Sequence, residues 1–183
     1  MKCIILLLIL LVSGHFRQES RPGKPTATEE AFRADDALPE EGFARGWKPI
    51  PGSYIYSASE DELWKIYDGA APGVINQGGR EAVTQGYENT DGGADRSFRI
   101  FILRFVDNAR ALAYFKEEIE GASGGEELTG VDAGQIFDKG KAPWARFVIS
   151  RYLVSINWEG STDDSDNATL QAVRSISAKL PVD

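Results

Sequence analysis

Cysteine, histidine and methionine each occur once in this chain, as Cys3, His15 and Met1. From residue 16 onward there is neither a thiol nor an imidazole. That excludes a disulfide, a cysteine nucleophile, a Ser-His-Asp triad and any zinc site built on histidine or thiolate. Clustered basic residues are lacking too: 20 Lys and Arg stand against 28 Asp and Glu, a formal charge of −8. Phosphate recognition depends on grouped Lys and Arg, so neither nucleic acid nor an anionic membrane surface is expected as a partner. The glycine-rich stretch 121–125 lacks the Lys-Ser/Thr ending of a phosphate-binding loop and the dinucleotide fingerprint, so it reads as a loop. There is no internal repeat. Without staples, stability has to come from an apolar core, and residues 46–183 suffice to build one.

What is present begins with an uninterrupted apolar run over residues 3–12, preceded by Lys2. A bilayer-spanning helix needs about 20 such residues, so the run predicts an export signal over residues 1–14, followed by cleavage near Ser13-Gly14. Leu11-Val12-Ser13-Gly14 also looks like the approach to a lipidated cysteine, but His15 occupies that position. No stable membrane anchor is therefore expected after cleavage, and the location implied is secreted or periplasmic. Residues 15–45 are polar and rich in Pro and Glu, with Phe16, Phe32, Leu38 and Phe43 as the large apolar residues. Such a composition predicts a flexible leader, and a single domain over residues 46–183.

Within that domain the stretch 59–75 predicts a helix. Ser59 and Glu62 have capping-box spacing, Glu60 and Asp61 favour the first turn, and Leu63, Ile66, Tyr67, Ala70 and Val74 form one apolar face. Gly69 and Ala70-Ala71 would let a sheet approach closely, and Pro72 predicts a kink near Ala71. A weak strand over 82–87 and a turn at Asp91-Gly92-Gly93 lead into the strongest strand, 97–106, which is apolar on both faces and so belongs mid-sheet. Asp107 or Asn108 caps a helix over 109–120 with Leu112, Phe115 and Ile119 inward. Strands follow near 128–131 and at 135–138, 144–149 and 152–158, then an amphipathic helix over 167–180 carrying Leu170, Val173, Ile176 and Leu180 and stopped by Pro181. The Ser150-Arg151 connection is not a favoured turn pair. The order predicts an α+β fold, a single antiparallel sheet with about three helices packed on it.

The helix segment Leu63-Trp64-Lys65-Ile66-Tyr67-Asp68-Gly69-Ala70-Ala71 resembles the Leu-Tyr-x-Tyr-Ile-x-Gly-Ala-Ala helix of a domain-of-unknown-function family of secreted bacterial proteins. Leu63, Tyr67, Gly69, Ala70 and Ala71 carry the likeness, whereas Pro72-Gly73 departs from that family's continuous helix. The resemblance implies a secreted α+β domain and brings no catalytic residues. The closing β-hairpin and helix also resemble the layout of PsbP-like sandwiches, by arrangement alone.

Three chemistries remain open to such a composition. The acidic run 161–167, with Asp163, Asp164 and Asp166, offers oxygen ligands for Ca²⁺ but lacks EF-hand spacing; a solvated turn heading a helix accounts for it equally well, and no metal site is assigned. Asp68, beside an apolar helix face, is a candidate buried carboxyl, though no partner acid stands at a defined spacing. Of the four tryptophans, Trp64 and Trp158 fall on apolar faces, while Trp47 and Trp144 sit near prolines in less regular sequence and are the candidate exposed pair lining a cleft. Trp47, Trp144 and Asp68 are thus the candidate binding residues, with no catalytic residue and no cofactor expected. The function implied is a non-enzymatic binding domain at the cell envelope, taking a small ligand or an envelope protein. A carboxylate-based enzyme and a purely structural accessory protein are the alternatives.

Overall fold

The computed structural model describes residues 32–91, 96–138, 143–159 and 165–182. The expected export signal, the first part of the leader and most of the acidic run lie outside them. The fold is α+β. Eight antiparallel strands form one sheet: β1 (Trp47–Pro49), β2 (Ile55–Ser57), β3 (Gly79–Asn89), β4 (Ser97–Phe105), β5 (Glu126–Glu127), β6 (Ala133–Phe137), β7 (Trp144–Ile149) and β8 (Tyr152–Trp158). Their order is β1-β3-β4-β8-β7-β6-β5, with β2 also paired to β3. The helices are α1 (Trp64–Tyr67), α2 (Ala71–Asn76), α3 (Asn108–Glu118) and α4 (Ser165–Ser177).

β4 sits between β3 and β8, as its two apolar faces require. On one face Phe98, Ile100 and Ile102 join Phe147, Val154 and Ile156 under Ala168, Ala172, Val173 and Ile176 of α4. On the other, Leu103 and Phe105 join Val148 and Leu153 under α2 and α3, where Ala71, Val74, Ala111 and Phe115 are buried. Each such large side chain contributes about 1.5–3 kcal/mol by leaving water. Asp107 caps α3, its Oδ1 accepting the Arg110 N–H at 2.8 Å.

Among the described residues packing already involves Phe32, so the flexible leader expected through residue 45 is too long. Ala34 and Ala37 are fully buried, Phe32 meets Tyr152 edge-on at 5.7 Å, and Phe43 meets Tyr87 at 5.5 Å. The Tyr87 hydroxyl donates to the Pro39 carbonyl at 2.8 Å. A few apolar residues suffice here because each meets a preformed sheet face, which average composition does not register.

The segment 59–75 is a broken helix. A 3-10 turn, Glu60–Glu62, precedes α1, and a second, Asp68–Ala70, separates α1 from α2. The break falls at Asp68 (φ 44°, ψ −127°) rather than at Pro72, which occupies the first turn of α2, where its missing N–H costs nothing. Ser59 makes no side-chain cap; Glu62 accepts the Ala58 N–H at 3.0 Å and pairs with Lys65 at 2.7 Å. Nor does Gly69 admit the sheet, since a Cβ there would meet nothing within 4 Å. The close approach is made from the sheet side instead, at Gly79 of β3, where a Cβ would stand 2.6 Å from the Val74 side chain of α2 and 3.0 Å from its carbonyl. Trp64, expected in the core, is 50% exposed. The strand expected near 128–131 is replaced by the two-residue β5.

Candidate functional site

α3 has 11 residues and so spans roughly 16 Å, too short to cover the whole sheet face on its side. At its C-terminal end the same face continues through Phe101 of β4, Arg146 of β7, and Ser155 and Asn157 of β8, because alternate residues along a strand share a face. Where these residues meet Tyr67 of α1 and Tyr114 and Glu118 of α3, they enclose a cleft of about 150 Å³. A shallower groove of about 420 Å³ runs on from it over Gly69, Ala70 and Gly73, bounded by Gln77 and Glu117 and sharing Tyr114 and Glu118 as walls.

Arg146 is the charged group most withdrawn from water in the cleft, its side chain 15% exposed. Nη1 donates to Asn157 Oδ1 at 2.8 Å and to the Ala145 carbonyl at 3.2 Å, while Nε points to Glu118 Oε2 at 3.5 Å. The guanidinium carbon lies 5.1 Å from the centre of the Trp144 ring, within cation–π range. Burial lowers the Arg146 pKa from its ordinary value, opposed by Glu118. Burial, and then the Glu118 charge, push Tyr114 up to about 12; burial raises Tyr67 as well. Both phenols therefore stay protonated and can donate.

The three residues expected to form the site fall in three different places. Trp47 is 3% exposed, packed 4.7 Å from Phe98 and 5.4 Å from Trp158 on the opposite face, so it lines no cleft. Asp68 is exposed, at the break after α1, and is not a buried acid. Trp144 stands beside the cleft: half-buried, stacked on Phe137 at 3.8 Å, and donating from Nε1 to Asp138 at 3.2 Å. Of the residues that build the cleft, Tyr114, Glu118, Arg146 and Asn157 were not singled out in the sequence, and Tyr67 was read there as part of an apolar helix face and not as a site residue. One signal was readable: an arginine within the apolar strand Trp-Ala-Arg-Phe-Val-Ile, sharing a face with Trp144 and Val148.

Among the described residues, the one fully buried carboxylate is Glu81, on the far face. It is bonded to the Ala34 N–H, the Tyr56 hydroxyl and Arg104. Among the described residues no group of acidic side chains is placed to hold a metal ion, and no helix is long and apolar enough to cross a membrane. Set against known proteins, the chain matches no protein-family model, no curated protein and no solved structure.

Proposed function

We propose that this is an exported, non-enzymatic binding domain of the cell envelope, of the kind its 63–71 segment resembles, and that it takes a small ligand in the cleft around Arg146. The observation that carries the reading is Arg146 itself: a largely buried cation whose nearest carboxylate stands at 3.5 Å, beyond an ordinary charge-assisted hydrogen bond. An arginine held open beside two phenols and an amide is a preorganised recognition group, with its rotamer fixed before the ligand arrives. The apolar run at residues 3–12 supports export. The small, concave volume favours a small molecule over a flat protein surface.

A thermal-shift screen of residues 15–183 against sugars, amino acids, lipids and peptidoglycan fragments tests the reading. A ligand at about 100 times its Kd adds about 2.7 kcal/mol, which for a domain of this size raises Tm by roughly 5–10 °C. The shift should vanish in Arg146→Met and persist in a distant surface variant such as Lys48→Gln. Silence across the panel, or a shift indifferent to Arg146, would overturn the assignment of the cleft.

A further inference from the structure

We infer that the cleft selects a small zwitterion of the amino-acid type, with its carboxylate on Arg146 and its ammonium on Glu118. The inference rests on the cleft being the ligand site.

The charges in the cleft come as one opposed pair, Arg146 and Glu118, separated by 3.5 Å. A ligand with net charge would neutralise one partner and repel the other. A molecule whose own opposite charges lie about one hydrogen-bond length apart can instead align antiparallel to the pair, so that each charge meets its complement. The remaining polar groups agree with that orientation. Asn157, bonded to Arg146, and the Tyr67 hydroxyl line the same cleft and can donate to carboxylate oxygens, while the Tyr114 hydroxyl is bonded to Glu118 and holds it in place. Glu118 is also a wall of the adjoining groove, where Glu117 adds a second acid for the ammonium end.

Size sets a further limit. A cavity of about 150 Å³ accepts a molecule about as large as benzene, enough for the charged end of an amino acid and little more. A side chain would have to continue into the groove. There a Cβ on Gly69 or Gly73 would meet nothing within 4 Å, so the floor is open. Arg146 beneath the Trp144 ring stays in place during exchange, because the ring covers the guanidinium face that the ligand does not use.

The test is isothermal titration of the wild-type protein with alanine, with propionate, which lacks the amine, and with ethylamine, which lacks the carboxylate. Longer-chain amino acids should be included to probe the groove. Alanine or a longer homologue should bind at least about tenfold more tightly than either half-molecule. Glu118→Gln, an isosteric change at a partly exposed position, should abolish that preference, because alanine loses its ammonium partner while propionate, no longer repelled, binds more tightly. Arg146→Lys should weaken the zwitterion and propionate alike. Propionate equal to alanine would overturn the inference, as would a Glu118→Gln variant that keeps the preference. If none of these probes binds but another class shifts Tm through Arg146, the zwitterion falls and the cleft assignment stands. If nothing shifts Tm through Arg146, both fall.

Discussion

Replacing Glu81 should cost more stability than any other single change to a charged residue among those described. Its side chain is buried at 4% exposure, and three elements converge on it. Oε1 accepts the Ala34 N–H at 2.7 Å and the Tyr56 hydroxyl at 2.9 Å, while Arg104 of β4 donates to Oε2. Arg104 is itself only 26% exposed, so removing the carboxylate leaves a cation with little water to replace it. Breaking a buried pair from one side costs about 3–5 kcal/mol, against a total of about 5–15 kcal/mol for an ordinary domain. Glu81→Ala should therefore lower the urea midpoint by roughly 1.5–2.5 M, given a slope near 2 kcal/mol/M. Glu81→Gln keeps an acceptor for Ala34 and Tyr56 but turns an amide toward Arg104, so about 1.5–3 kcal/mol should be lost. Glu81→Met combined with Arg104→Met should recover much of the deficit, because the orphaned charge goes with its partner. Hydrogen exchange at the Ala34 amide should quicken first in the alanine variant, since that contact ties the N-terminal segment to β3. A Glu81→Ala protein within about 0.5 kcal/mol of wild type would refute the reasoning, as it would mean that the carboxylate is solvated or unpaired.

Asp68 holds φ 44° and ψ −127°, a conformation that disfavours a Cβ. Asp68→Gly should stabilise the fold by about 0.5–1 kcal/mol and Asp68→Val should destabilise it by about 1–2 kcal/mol in chemical unfolding, the reverse order counting against backbone strain there. Burial raises all six tyrosines, with Tyr54, Tyr56 and Tyr114 pushed to about 12. The native state then keeps protons that the unfolded chain releases near pH 10, so this stability is complete below about pH 10 and is lost as pH rises toward 12. The buried Tyr87 alone should steepen the loss by about 1.4 kcal/mol per pH unit. Absorbance titration should show phenolate appearing together with unfolding, whereas six phenols ionising near pH 10 in an intact fold would contradict the burial. Asp132 Oδ2 accepts the Ser150 N–H at 2.7 Å and Asn108 Nδ2 at 2.8 Å, holding Ser150 at φ 52°. Asp132→Ala should cost about 1–2 kcal/mol in urea unfolding and Ser150→Gly should restore part of it, whereas additive losses would show that the turn is unstrained.

Much of the fold is legible in the sequence because its signals are local. The alternation at 144–149 and 152–158 gives β7 and β8 their bounds, the two-faced run at 97–106 gives β4 its central place, and Asp107 starts α3. A period of two or of 3.6 residues is a property of neighbours in the chain, so the chain alone reveals it. Other features depend on what approaches from elsewhere. The Ser150-Arg151 turn forms without a favoured pair because Asp132 and Asn108 bind it from outside. Phe32 and Phe43 order a polar segment only because Tyr152, Tyr87 and Phe98 receive them. Trp47 and Trp144 have similar flanking sequence and opposite fates, decided by which sheet face each strand register presents to a cover. The cleft is the clearest case. Tyr114 and Glu118 share a face of α3 by their four-residue spacing, but no spacing in the chain relates them to Tyr67 of α1 or Arg146 of β7. The sequence by itself determined the strands and helices and the apolar face of most of them. The tertiary structure alone decided that the end of α3 meets Tyr67 of α1 and Arg146 of β7 around one cleft, because that meeting depends on how the elements pack and not on their order in the chain.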